Sequence, residues 1–564
     1  MKLRHRPLLV PTLIASVLFA TSCGFGAHEP ATDEADRPHT GDTGGRKPVP
    51  TIRLLTKTAA NDPTRFEMAR MIVEAWRGAG IPAELLPLDD AQINSRTFLG
   101  KDYDVALVSY GPTPERLDPE NLLSRFASRN ATSDGNNLSL FKNNKYDELY
   151  QAQNQAADAD SRRKAVLDAQ RIVYDELPAV PLLYPKVGAA YRSDRWDGIK
   201  PALGYPVFNI WNTTQATPKD GRDVLVVGTT FDPPTLNPVV AETLESQIPI
   251  SLLYDTALAV GPDGKTVQRA ADDVQVQGAT VTVKLRDGLT FSDGKPVTAD
   301  DFAFSAAYLR DHGAPLYSAG LKNVKSATAN GLTATLTLAG PAAHFADVTL
   351  TQMPILPRHV WASIADPAKA ANASPIGSGP FVLKQRRLGS SLSFVANRNH
   401  YDPPKVARLE LTILGTFDAG VGALKSGEID LYDDVQPALQ YESLRNTPGV
   451  TVVETQSHGW RGLHFNTSRE PGNDKYFRQA LASLVPYEDL IDVVLKGGAD
   501  RGGSVIAPVL GQWHDSSLKP FEEDRDKAMN ALREAGYAFG PDGKLYFPAA
   551  DADKRKLSCS RQDC

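Results

Sequence analysis

VTVKLRDGLTFSDGKPVTADDFAFS, residues 281–305, spells a strand, two turns and the start of a helix. Val281, Val283 and Leu285 alternate with polar residues, as a half-buried strand requires. Asp287-Gly288 and Asp293-Gly294 are turn dipeptides. Thr298-Ala-Asp-Asp then opens a helix containing Phe302, Phe304 and Tyr308. Outward from here the same alternation continues. Val224 to Val227 reads as a strand, and 213–222 (TTQATPKDGR) as a polar, turn-forming linker. Further upstream, Thr51 to Thr56 is a strand, and Asp62-Pro63 is an N-cap with Pro at the first helical position. Met68, Ala69, Ile72, Ala75 and Trp76 form a helical stripe that Gly78 and Gly80 stop. Asp104 to Tyr110 is apolar and short enough for a buried strand. Helical patterning fills Tyr146 to Leu177, and Val180 to Tyr184 is extended. Strands alternating with helices predict an α/β fold with mixed sheets.

The chain has 564 residues, 41% hydrophobic and 23% charged, with net charge −6. That length suits two or three domains. Positive charge is not clustered, which excludes a nucleic-acid-binding face. Lys2, Arg4 and Arg6 precede a short apolar run, Leu8 to Ala20, followed by Thr21, Ser22 and Cys23. A basic start, an apolar run too short to span a bilayer, and small residues before a cleavage point make an export signal. Ala-Thr-Ser-Cys resembles a bacterial lipobox, which implies lipidation of Cys23; an ordinary signal with an incidental Cys is the alternative. Residues 24–49 are rich in Gly, Pro, Asp, Glu and Thr, the composition of a tether. The other two cysteines, Cys559 and Cys564, leave open a small disulfide or a frayed tail.

From Asp223 onward the order of motifs resembles family 5 of the extracellular solute-binding proteins, the peptide and nickel class. VLVVGTT runs into Pro234-Thr-Leu-Asn-Pro238, then Leu253-Tyr254-Asp255 and the 281–305 stretch. Gly377-Ser-Gly-Pro-Phe381, Asn397 to Tyr401, Ala423 to Asp430, Phe465-Asn-Thr467, Phe477 to Leu481 and Glu534-Ala-Gly-Tyr537 follow. The part of such a protein that should come last stands at the front: TIRLLT, the Phe66–Gly80 helix, Tyr103-Asp-Val, Asp118-Pro119, Tyr146 to Leu149, and Arg162 to Pro181. The resemblance therefore implies a circularly permuted, two-lobed fold of the type II periplasmic-binding-protein kind, with a small extra subdomain. A fusion of two incomplete binding proteins is the rival explanation. Permutation divides the chain into a signal peptide at 1–22, a lipid-anchored tether at 23–49 and the second part of lobe II at 50–112. Lobe I takes 113–212 and 223–403 around the linker at 213–222, the first part of lobe II takes 404–550, and 551–564 is a tail.

The resemblance implies a monomeric binding subunit of an ABC importer, not an enzyme. It would close two lobes over a peptide or similar small solute and deliver it to permease and ATPase subunits. It would be held outside the cytoplasm on the membrane by its lipid, without cofactor or metal. A buried ligand ammonium calls for a carboxylate. The family position, three residues before Asp118-Pro119, holds Glu115, although the family's nearby Trp is absent; a solvated loop carboxylate is the plainer alternative. Tyr110 and Asp118 share that segment and join the expected ligand-binding set. Asp232, after the first strand, and Trp460, in HGWRGLHFN, complete it, against a turn Asp and a core Trp as alternatives. His458 and His464 on one strand would stand about 20 Å apart, too far to share a metal. G-x-S-x-G and H-E-x-x-H do not occur, which leaves a hydrolase without its motifs. A surface receptor or sensor without a transport role has the same sequence signature as an importer subunit.

Overall fold

The computed structural model describes residues 45–549 other than Asp134, Ala157, Tyr205, Ala365 and Gln436. The expected signal peptide, Cys23, the tether up to residue 44, and the tail with Cys559 and Cys564 lie outside the described residues. A single strand, Ala179–Arg192, ties two lobes into one 12-stranded mixed sheet. Its first half pairs antiparallel with Arg461–Phe465 and Ala499–Arg501, its second half with Leu431–Val435 and Val450–Gln456. On one side the sheet continues through Val105–Ser109, Ile52–Lys57 and Ala83–Leu88. On the other it continues through the parallel strands Val224–Thr229 and Arg408–Ile413 to the hairpin of Phe381–Arg387 and Ser391–Ala396.

The hydrophobic residues divide the same way. One lobe buries Ala189, Leu225, Val227, Phe302, Leu409, Leu431 and Val453 together. The other draws on Val49 to Tyr184 and on Trp460 to Leu545. In that second lobe Leu54, Val105 and Leu107 join one cluster, and Leu55, Ala106 and Val108 the other. Successive strand residues point to opposite faces, so a sheet covered on both faces needs the unbroken apolar run at 104–110.

These cores place the lobe boundaries elsewhere than expected. Residues 113–184 pack with lobe II, because Phe126, Tyr146, Val166 and Val173 share a cluster with Ala106, Tyr110 and Trp460. Residues 404–453 pack with lobe I, because Arg408–Ile413 pairs residue for residue with Val224–Thr229. The linker is also more ordered than its composition suggests. Ile210–Gln215 is a helix whose Thr213 and Thr214 are buried, their hydroxyls donating to carbonyls of the preceding turn. Thr217–Pro218 then pairs with Trp196–Asp197.

The 281–305 stretch folds as read. Thr280–Leu285 lies in a four-stranded antiparallel sheet, and Val281, Val283 and Leu285 are fully buried. Gly288 and Gly294 take positive φ, +74° and +84°, where a side chain would be strained. Thr298 and Asp301 form a reciprocal capping box on Ala299–Asp311. Similarly, Asp62 caps Pro63–Gly78, although Val73 rather than Ala75 joins Met68, Ala69, Ile72 and Trp76 in the buried stripe. The two ends of the described body lie side by side: Val49 N–H donates to Leu545 O at 2.7 Å and Phe547 N–H to Lys47 O at 3.0 Å.

Candidate functional site

A cleft of about 1040 Å³ separates 115–155 of lobe II from 316–352 of lobe I. On the lobe II wall the helix Asn144–Gln155 presents Tyr150 and Asn154, packed against Ala159–Glu176 behind it. The facing wall carries Tyr317, just ahead of the helix Ser318–Leu321 and of the last two strands of the four-stranded sheet. It also carries His344, Thr349 and Gln352, which flank the helix Phe345–Val348 after those strands. At one point the walls touch, with Ala343 N–H 3.5 Å from Asn154 O.

Polar atoms along this cleft lack partners. Asn136 Oδ1 and Asn154 Oδ1 on one side, and the Tyr317 hydroxyl, His344 Nδ1 and Thr349 Oγ1 on the other, are buried without a hydrogen bond. Buried polar groups are nearly always paired, so an unpaired set lining a cleft points to a bound polar molecule or to closer approach of the walls. The charged side chains of the wall are mostly engaged. Glu120 accepts from the Tyr150 hydroxyl at 2.6 Å, Arg129 donates to the same hydroxyl at 3.0 Å, and Asp147 accepts from Ser128 N–H at 2.8 Å.

Of the five expected ligand-binding residues, Glu115 alone lines this cleft. It is half-buried in a short 3₁₀ turn, accepts from Thr113 Oγ1 at 2.5 Å, and has Arg116 at 3.9 Å. Asp118 instead caps Pro119–Leu123 and accepts from Arg162 Nη2 at 2.6 and 2.8 Å, with both side chains buried. Asp232 accepts from Arg386 and from Gly389 N–H, which pins its loop to the neighbouring hairpin. Tyr110 and Trp460 are core residues, 3% and 0% exposed. The close text around Trp460 follows from this burial: a Cβ on Gly459 would stand 1.9 Å from Tyr110 O, and one on Gly462 2.2 Å from Val180 O.

Trp460 and Phe126 sandwich the His464 ring, with centroids at 5.4 and 6.1 Å. Ser139 Oγ donates to Pro178 O, so it accepts from His464 Nδ1–H at 3.0 Å; His464 Nε2 then accepts from the Tyr110 hydroxyl at 2.9 Å. Burial, aided by Arg125 and Lys101, pushes this imidazole down to about 3, so it is neutral. His458 lies before the strand, not on it, and its Nε2 meets Thr113 O at 2.8 Å. Among the described residues no group of three or more His, Cys, Asp or Glu is placed to hold a metal.

Sequence reasoning missed the facing set Tyr317, His344, Thr349 and Gln352 and its partners Asn136 and Asn154. The one available signal was the density of Asn and Gln between 121 and 155. On the other wall single polar residues sit among small and apolar ones, and no local pattern marks them.

The model of "Bacterial extracellular solute-binding proteins, family 5 Middle" matches residues 256–560. Protein XP55 of Streptomyces lividans is 29% identical over 388 residues, which cover 64% of this chain and 69% of that protein. The oligopeptide-binding protein AppA of Bacillus subtilis is 26% identical over 353 residues, 60% of this chain and 63% of AppA. The probable D,D-dipeptide-binding periplasmic protein DdpA of Escherichia coli is 28% identical over 328 residues, 54% of this chain and 61% of DdpA. The matched part of the chain thus spans about two thirds of these relatives' length. Among solved structures, the ABC transporter substrate-binding protein CtaP of Listeria monocytogenes aligns with a TM-score of 0.49 at 26% identity, covering 56% of this chain and 66% of CtaP. A family model that takes in more than half of the residues settles the assignment: the chain belongs to family 5 of the bacterial extracellular solute-binding proteins.

Proposed function

We propose that this protein is the solute-capturing component of an ABC importer, that its ligands are peptides, and that the cleft between 115–155 and 316–352 receives them. The unpaired polar atoms on both walls carry this reading. A peptide main chain offers donors and acceptors at regular intervals, and neutral amides and hydroxyls can pair with it whatever its sequence. Glu115 is the carboxylate available to a ligand ammonium at the lobe II wall. Family 5 is a family of binding proteins, not enzymes, and two of the relatives named above are peptide-binding by description. Lipidation of Cys23 would hold the protein at the membrane facing its permease.

Circular permutation belongs to the same proposal. The paired ends at 47–49 and 545–547 fit a cut made within lobe II, and the ordered 210–222 segment fits a joint between former termini. A rearranged chain that starts at Asp223, runs to 547, and continues from 47 to 222, so that the buried Thr213, Thr214 and Ala216 are kept, should melt cooperatively with the parent's stability. Failure of that chain to fold would favour a fusion instead.

Thermal unfolding with and without mixed peptides tests the function. A ligand present at about 100 times its Kd should add about 2.7 kcal/mol of stability. Glu115→Gln should reduce the shift for peptides with a free amino terminus more than for N-acetylated ones. A melting curve that no peptide mixture moves would refute the peptide reading.

A further inference from the structure

A second cavity, of about 180 Å³, opens beside the cleft and shares Tyr317 and Gln352 with it. Its character is different. Leu203, Phe208, Trp211, Ile248 and Pro354 of lobe I and Leu117 of lobe II give it an apolar wall. Most polar groups at its margin are already spent: the Trp211 indole donates to Val260 O at 2.9 Å, and Arg269 pairs with Asp255, which also accepts from His400. Three buried polar atoms of its lining residues remain without partners, the Tyr317 hydroxyl, His458 Nδ1 and Arg269 Nε. A carbonyl only accepts, so the 2.8 Å contact to Thr113 O fixes the proton on His458 Nε2 and leaves Nδ1 an acceptor.

The volume sets the size of the occupant. An apolar cavity of about 150 Å³ admits benzene. An apolar chamber of this size, with a hydroxyl and an acceptor in its wall and opening off a polar cleft, matches one aromatic ring that bears a polar tip. We propose that this cavity is a side-chain pocket, and that it takes a single phenylalanine or tyrosine ring, tyrosine being the fuller match, from a peptide whose main chain lies along the cleft. The inference rests on the reading of the cleft as a peptide site. It adds a selectivity that the sequence-tolerant amides and hydroxyls of the cleft walls do not supply.

Titration calorimetry with tetra-alanine and its single substitutions by Gly, Phe and Tyr at each position tests this. At one position a ring should tighten binding about tenfold or more over alanine, the effect of burying a phenyl group. Elsewhere the same change should matter little. Ala259→Phe, which fills the cavity from its wall, should bring the ring-to-alanine ratio close to one. Ser251→Phe, at an exposed position on the rim, should do the same if Ala259→Phe melts early. Rings no better than alanine at every position, or a preference that survives both substitutions, would overturn the pocket. Saturation-transfer NMR with p-cresol separates the two readings. If no peptide binds but the p-cresol signal is present and lost in the filled variants, the ring pocket stands and the peptide reading falls. With neither signal, both fall.

Discussion

Replacing Arg162 by methionine is expected to destabilise the protein by about 3–5 kcal/mol, the usual cost of stripping one partner from a buried ion pair. Both Nη2 contacts to Asp118 would vanish while the carboxylate stayed buried, still holding Glu120 N–H at 2.8 Å as the helix cap. The guanidinium also lies 4.8 Å from the Trp513 ring, so the loss includes packing that methionine restores in part. Asp118→Asn together with Arg162→Met should recover much of the stability, since no unpaired charge then remains buried. Urea unfolding of the two single variants and the double one measures this. The outcome decides what Asp118 does. A ligand-contacting carboxylate would lose affinity on conversion to Asn with its unfolding midpoint unmoved; a structural one would lose stability first. A cost below about 1 kcal/mol for Arg162→Met would discard the structural assignment.

The fate of Asp118 shows where the sequence was legible. Features whose physics is local were read correctly. The helix opening at Thr298, the Asp62-Pro63 helix start, and the turns at Asp287-Gly288 and Asp293-Gly294 each answer to neighbours within a few positions. The family motifs were legible as short runs of sequence, although two of them, Leu253-Tyr254-Asp255 and Asn397 to Tyr401, meet only in the fold, where His400 Nε2 lies 2.9 Å from Asp255. Which lobe a segment joins is not local. Residues 113–184 belong to lobe II because Phe126 and Tyr146 pack around rings contributed from beyond residue 459, and nothing between them announces that contact. Trp460 looks from sequence like an aromatic flanked by charge and glycine, fit for a ligand. The glycines serve instead to let Tyr110 and Val180 backbone close over it. Glu115 survives as a cleft residue because its position follows from a short motif, whereas the amides opposite it are specified only by the tertiary fold.

Acid should destabilise the protein through His464 and His458 before most of its carboxylates respond. Burial holds the two rings at about 3 and about 4, against an ordinary value of 6.5 in the unfolded chain. Between those values the unfolded state binds more protons than the folded one, so stability falls as pH is lowered through the window from about 6.5 to about 4. Each ring contributes a slope of up to about 1.4 kcal/mol per pH unit there, on the order of 3 kcal/mol per ring across the window. The surroundings do not relieve this. Arg125 and Lys101 oppose a charge on His464, and around His458 Arg116 opposes a charge that Thr113 O and Glu115 favour less strongly than burial disfavours it. Protonation of His464 would also put a hydrogen on Nε2, which now accepts from Tyr110, so the Tyr110 hydroxyl would have to turn from donor to acceptor while the bonds through Ser139 to Pro178 O are kept. His464→Gln keeps polar atoms near Tyr110 and Ser139 but cannot titrate. Its stability at pH 7 should be lower than the parent's, yet its further loss between pH 6.5 and pH 4.5 should be smaller by about 2 kcal/mol. Urea midpoints at the two pH values in parent and variant give the comparison directly. Equal losses in both would mean that His464 does not carry the acid sensitivity, and would leave the carboxylates and His458 to account for it.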